Sequence, residues 1–306
     1  MRRFLLFVAV CGLAGYGAVT LSSRLGLGLL AAPGSLPLAA ALALVCFAFG
    51  ALSADYSWVD RIWSIAPVAF AWIYAAAGGW SPRTVAAAVV VSLWGLRLSL
   101  NFARRGGYAG TEDYRWGLLR ERITSPAAWQ LFNAAFICLF QIGVLVLIAS
   151  PLLRLSVAAE GAFDPPFFAA LALCLAFLVF ELVADEQQWR FQNAKAAHRA
   201  AVLRGEPSAD PAGDLTRGFR STGLFALSRH PNYFGELGFW WAVYLAGCAD
   251  HSILHWSLAG PLALSAVFAG SLRFTEGISA AKYPEYRKYQ RSTSAVIPYP
   301  RRRSRA

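Results

Sequence analysis

Eight stretches of this chain are almost free of charge and long enough, or nearly so, to cross about 30 Å of hydrocarbon as helices. They run at 4–21, 36–53, 62–80, 84–102, 129–150, 166–187, 233–249 and 252–272. No other feature constrains the fold as tightly. A backbone in lipid must satisfy its own N–H and C=O groups, and for a single segment of that length an α-helix does so. The expectation is an all-α, polytopic transmembrane helical bundle of about eight spans. Composition agrees, with a mean hydropathy of +0.47 and only 15% charged residues, against about 25% in soluble domains. The first segment, preceded by Arg2 and Arg3, also fits a signal peptide.

The charges orient the bundle. With the N-terminus cytoplasmic, 24 of the 28 Lys and Arg fall on the inner side. Arg24, Arg83 and Arg154 fall on the outer side, and Arg97 lies within a span. This is the positive-inside bias of a chain with an even number of spans and both termini cytoplasmic. It also accounts for the net charge of +11, so nothing calls for a nucleic-acid partner. The terminal run Arg301-Arg-Arg-Ser-Arg305 reads as an inner-leaflet contact with membrane lipids.

No long linker, low-complexity tract or internal repeat divides the chain. The chain reads as one membrane domain that ends in a basic tail at 301–306. The largest hydrophilic insert is 188–229, with a turn-rich stretch at 205–213, and the second is 104–126. Cys11, Cys46, Cys138, Cys174 and Cys248 stand singly in apolar segments, without a disulfide framework or CxxC motif. His251 and His255 have helical spacing but no HExxH glutamate or third ligand nearby, so no metal site is expected.

The chemistry concentrates elsewhere. Ser228-Arg-His-Pro-Asn-Tyr-Phe-Gly-Glu236 sets two cations, an amide, a phenol and a carboxylate at the mouth of the seventh span. An ionisable group there is a functional hypothesis by default. Glu236 shares a helix turn with Asn232 and Tyr233. Glu181 and Asp185, four apart, share one face of the sixth span near its cytoplasmic end. Asp60 opens the third span, and Arg97 is a deep charge for which Glu236 or Asp60 is a candidate partner. Arg104, Arg105, Arg115, Arg217, Arg220, Arg229 and Arg273 sit in the cytoplasmic segments as planar forks suited to phosphate. For each of them the plain alternative is a loop that is basic for orientation alone. No GxGxxG after a strand, GxxxxGK[ST] or GxSxG occurs, so Rossmann, P-loop and hydrolase-elbow chemistry are unsupported.

These segments carry a resemblance. The Ser228 to Glu236 motif, preceded by Ser221-Thr-Gly-Leu-Phe225, and the tail from Tyr286 through Tyr289 to Pro298 resemble the C-terminal signature of the steroid 5-alpha-reductase superfamily. The likeness is to its bacterial-type branch, often catalogued as a domain of unknown function, DUF1295-like. Glu181-Leu-Val-Ala-Asp185-Glu-Gln187 and Asp60-Arg-Ile-Trp63 resemble that branch as well. The resemblance covers roughly residues 55 to 300, strongest from 181 onward, and implies a seven-span core in a catalytic membrane domain at 56–300, with the N-terminal spans of 1–55 outside it. It implies an NADPH-dependent reductase of an activated carbon–carbon double bond in a lipophilic small-molecule substrate, a steroid enone or related lipid. By position it implies that Asn232, Asp185, Arg105, Arg220, Arg229, His230, Arg273, Glu276 and Tyr289 hold the cofactor, with Glu236, Asp60 and Tyr233 catalytic. One departure stands out. Trp94 lies near the position where the steroid enzymes carry a Tyr, and an indole donates a hydrogen bond without transferring a proton.

Isoprenylcysteine and phospholipid methyltransferases share an RHPxYxG segment and bind S-adenosylmethionine, so that class is the alternative. Asn232, Glu236 and the single Glu276 before the tail favour the reductase. A non-catalytic lipid-binding protein is a third reading, and it leaves Glu236 and the basic face without a purpose. No obligate protein partner is evident. The Ala, Leu and Arg bias fits a bacterial inner membrane, although an endoplasmic reticulum protein reads the same way.

Overall fold

A computed structural model describes residues 2–24, 34–157, 164–206, 210, 213–249 and 252–300. His251, the arginines of the 301–306 tail and most of the 207–212 turn therefore lie outside the described residues. Among those described, the regular elements are helices, with one parallel bridge between Ser228 and Ser294. Six helical stretches are long and apolar enough to cross a membrane: Arg2–Arg24, Ser35–Ser53, Pro82–Arg104, Pro126–Val157, Pro165–Leu203 and Trp256–Lys282. The other two expected segments are helical but short.

Local chemistry explains the differences. The third segment does not start at 62. A five-residue helix, Trp58–Ile62, ends in a turn, and the next helix, Ala66–Ala77, begins with Pro67 in its first turn, where a missing N–H costs nothing. The seventh segment is the 17-residue helix Pro231–Gly247, started by Pro231. The sixth instead outruns its expected end at 187 and continues as one helix, Pro165–Leu203. No Gly or Pro interrupts it before Gly205, and Glu186 pairs with Arg190 one turn on at 2.6 Å.

We number the helices α1 Arg2–Arg24, α2 Ser35–Ser53, α3 Trp58–Ile62, α4 Ala66–Ala77, α5 Pro82–Arg104, α6 Tyr114–Arg120, α7 Pro126–Phe132, α8 Gln141–Val157, α9 Pro165–Leu203, α10 Asp214–Arg217, α11 Pro231–Gly247, α12 Ala259–Lys282 and α13 Tyr286–Ser292. A π-helical stretch, Asn133–Phe140, joins α7 to α8.

The chain divides into two compact units, Met1–Leu171 with Ala242–Ala263, and Ala172–Trp241 with Leu264–Ala306. In the first, Phe7 of α1 packs on Phe49 of α2 and Trp58 of α3, with ring centroids 5.1 and 4.6 Å apart. Ser64 meets Ser99 at 2.7 Å, and Trp72 donates to Ser92 at 3.0 Å. Such interhelical hydrogen bonds hold helices together where lipid offers no hydrophobic drive. Inside α8, Pro151 has no N–H to give the carbonyl of Leu147, and the hydroxyl of Ser150 donates to that oxygen instead at 2.7 Å.

In the second unit, α9 buries one face. Cys174, Leu178, Glu181 and Asp185 recur at three- to four-residue spacing, Phe191 and Lys195 follow further on, and all six are buried. The face is apolar at its start and becomes polar toward its end. At 39 residues α9 is about 58 Å long by helical rise, well beyond the hydrocarbon thickness. Its later turns therefore project past the lipid.

Candidate active site

The site takes shape where α11 meets α9. A methyl group on Gly235 would lie 2.7 Å from the Cβ of Glu181, and one on Gly238 would collide with the ring of Phe177. Only bare backbone at these two positions, one turn apart, lets the helices approach so closely. The contact brings the first turns of α11 beside the stretch of α9 that carries Glu181 and Asp185, both 4% exposed. Glu236 is equally buried, and its carboxylate accepts from the indole N–H of Trp240 one turn on at 3.0 Å.

Asn232 stands in the first turn of α11, half-buried, and its carboxamide makes no hydrogen bond among the described residues. Tyr233 meets the hydroxyl of Ser271 at 3.3 Å and packs edge-on against Phe268 at 4.5 Å. Gln188 lies on the face of α9 that bears Asp185, and its Oε1 is buried with no hydrogen-bond partner among the described residues. Gln188 escaped the sequence reading. Its spacing of three from Asp185 and seven from Glu181 is the signal that marks it.

Four residues that the resemblance assigns to a cofactor make bonds within the chain. Arg229 donates through Nε and Nη2 to the two oxygens of Glu276 at 2.5 and 2.9 Å, and through Nη1 to the carbonyls of Gln290 and Thr293. His230 meets Glu276 at 3.1 Å and Gln290 donates to it at 2.9 Å, so this carboxylate is surrounded by donors. Tyr289 donates to the carbonyl of Phe225 at 2.5 Å. Backbone bonds extend the clamp, from Arg229 N–H to Ser294 at 2.8 Å and from His230 N–H to Ala295 at 3.0 Å. The tail thus straps down the loop that enters α11.

Arg220 is also engaged, donating to the carbonyl of Gln187 at 2.7 Å and of Thr222 at 3.3 Å. Arg273 is exposed on α12, and Arg105 is exposed just past the end of α5 in the other unit. Among the described residues of the second unit, the amide of Asn232 and the acceptor Oε1 of Gln188 make no hydrogen bond and Arg273 is exposed, so these are polar groups that a ligand could meet. Amides suit a carboxamide or ring edge and a guanidinium suits phosphate.

Two further clusters stiffen the loops of this unit. Asp214 accepts from the backbone N–H of Ser221 at 3.0 Å and from the hydroxyls of Ser221 and Thr222 at 2.7 and 2.8 Å, and it pairs with Arg217 at 2.8 Å. Burial alone would raise its carboxyl, but these donors outweigh burial and hold it below the usual carboxylate range. Lys195 donates to the carbonyl of Gly218 and to the phenol of Tyr283 at 2.8 Å. Burial opposes ionisation of that phenol, yet the Lys195 bond and charge prevail and lower it.

Asp60 belongs to the first unit. Its carboxylate accepts from the indole of Trp116 at 3.0 Å, and burial raises it above the ordinary Asp range against the pull of Arg115. The neighbouring Arg61 pairs with Asp55 at 2.7 Å and donates to the carbonyl of Gly107 at 3.3 Å. Glu112 accepts from the N–H of Tyr56 at 2.9 Å and Ser57 from that of Asp113 at 2.8 Å, seating the 107–120 loop on the entry to α3. Arg97 is buried in this unit. The proposed acids are thus divided, Asp60 in one unit and Glu236 with Tyr233 in the other. Among the described residues no group of three or more His, Cys, Asp or Glu could hold a metal ion.

Comparison with known proteins gives a relative in fission yeast, Schizosaccharomyces pombe, named "Uncharacterized protein C594.04c". It is 39% identical over 249 residues, covering 79% of this chain and 72% of that protein. No solved structure matches the chain. The model of the family described as "Protein of unknown function (DUF1295)" matches residues 46–293, the motif, the α9 carboxylates and Glu276 included, and the chain belongs to that family.

Proposed function

We propose that this protein is a membrane-embedded, NADPH-dependent reductase of an activated carbon–carbon double bond in a lipophilic enone, such as a 3-oxo-delta-4 steroid or a related lipid. In this reading it is a member of the steroid 5-alpha-reductase superfamily, with eight spans around a seven-span core, both termini cytoplasmic, in a bacterial inner membrane. The observation that carries the reading is Asn232. Its amide makes no hydrogen bond among the described residues, on a helix turn pressed by Gly235 against the α9 carboxylates. A half-buried carboxamide left in that state is poised for a ligand.

NADPH, when bound, supplies the hydride that reaches the beta carbon of the enone. The chain's own work is to hold it through Asn232, Gln188 and Arg273, and to meet the negative charge that develops on the substrate carbonyl with a hydrogen-bond donor. Glu236 and Tyr233 are the proposed donors beside Asn232.

A second reading has one observation in its favour. Glu181, Asp185 and Glu236 are three buried carboxylates on two touching helices, a setting that suits the sulfonium cation of S-adenosylmethionine better than the phosphates of a dinucleotide. Thermal denaturation of the detergent-purified protein separates the two. A ligand at about 100 times its Kd stabilises by about 2.7 kcal/mol, so NADPH raises Tm and S-adenosylmethionine does not. A shift with S-adenosylmethionine alone overturns the reductase reading.

A further inference from the structure

The tail strap presents an unusual outer surface. Ile297 is 69% exposed and Tyr299 63% exposed, although neither belongs to a span and their backbone is pinned. Ser228 donates to the carbonyl of Val296 at 2.7 Å, and the N–H of Tyr299 to that of Leu227 at 2.9 Å. Leu227 is itself 38% exposed. The fold thus holds an isoleucine, a tyrosine and a leucine outward on rigid backbone in a segment where water would be the solvent.

The same segment is cationic. In α13, Tyr286 and Tyr289 turn inward and pack with Phe219, while Arg287, Lys288 and Arg291 are exposed and make no ion pair among the described residues. In sequence, four more arginines follow Tyr299. Apolar and aromatic side chains beside unpaired cations have the chemistry of an interfacial anchor. The rings and aliphatic groups enter the headgroup boundary, and the cations meet lipid phosphates. A protein partner would need a complementary acidic surface, whereas an anionic bilayer is already adjacent to a chain with membrane-spanning helices.

We propose that the strap 286–299 is a docking surface for the anionic headgroups of the surrounding bilayer, with Ile297 and Tyr299 inserted and Arg287, Lys288 and Arg291 in contact with phosphate. This surface is independent of which cofactor the protein uses.

The test uses full-length protein carrying Ile297→Cys, labelled with an environment-sensitive fluorophore and placed in nanodiscs of phosphatidylcholine alone or with one-third phosphatidylglycerol. The five native cysteines are buried, so labelling is selective. Tyr299→Cys serves as a second site should the first variant fail to fold. Label emission shifts to the blue, and spin-labelled lipid quenches it at least twofold more in the anionic discs than in the neutral ones. High salt, or the triple change Arg287→Gln, Lys288→Gln and Arg291→Gln, removes that difference. Equal emission and quenching in the two lipids overturns the proposal, as does a blue shift that grows with protein concentration, which would assign the surface to a second copy of this chain.

Discussion

Arg229 and Glu276 meet side-on, two guanidinium nitrogens against two carboxylate oxygens at 2.5 and 2.9 Å, across 47 residues of sequence. Both side chains are less than a tenth exposed. Removing one partner strands a buried charge, which costs about 3–5 kcal/mol. Glu276→Ala therefore melts many degrees below wild type, and the double change Arg229→Met with Glu276→Met melts closer to wild type than either single change. A Glu276→Ala protein with an unaltered Tm would show that the pair does not hold the tail.

Gly235→Ala tests the close approach of α11 to α9. A methyl group 2.7 Å from the Cβ of Glu181 cannot be relieved by a flexible side-chain end, so the helices part or the variant loses about 1–3 kcal/mol. Thermal denaturation with and without NADPH reads both effects. Reduced Tm with a smaller ligand shift is expected, and wild-type values on both counts would remove the contact from the site.

Asn232→Ala and Glu236→Gln separate binding from chemistry. The amide of Asn232 makes no hydrogen bond among the described residues, so its loss leaves the stability of the free protein within about 0.5 kcal/mol of wild type and abolishes most of the NADPH shift. Glu236→Gln keeps an oxygen for the indole of Trp240 while removing the side chain's acid–base function. Turnover falls at least tenfold with the NADPH shift intact. Wild-type turnover in that variant would make Glu236 structural.

The loop around Asp214 is sensitive to acid. Its folded carboxyl titrates lower than in the unfolded chain, so its stabilisation is complete above the unfolded value, near 3.9. It disappears as pH falls through the lower folded value. Limited proteolysis at 205–222 then accelerates toward acid in the wild type, while Asp214→Asn is cleaved quickly and with little pH dependence at every pH tested.

The helices were legible in the sequence because their signal is local. Apolar length places α1, α2, α5 and the Pro126–Val157 stretch near their expected bounds, while the Trp256–Lys282 stretch outruns its expected end. Boundaries drifted where composition changed without a breaker, as when α9 continued through charged residues to Leu203. The site was legible only in part. The Ser228 to Glu236 motif announced itself by its polar cost, but sequence gives no hint that Arg229 and His230 turn toward Glu276 rather than toward a ligand. That choice depends on the position of a tail sixty residues away. Gln188 was passed over because a glutamine at the end of an apolar run carries no charge to draw attention.

The bridge from Ser228 to Ser294 also orders events during synthesis. Arg229 leaves the ribosome 64 residues ahead of Thr293, whose carbonyl it binds, and at about 5–20 residues per second that is roughly 3–13 s. Glu276 follows 47 residues behind Arg229, and for the whole interval the loop entering α11 has no tail to close upon. The site is thus completed only after α12 has been made, and a nascent chain cut short before α13 would carry the motif without the partners that shape it.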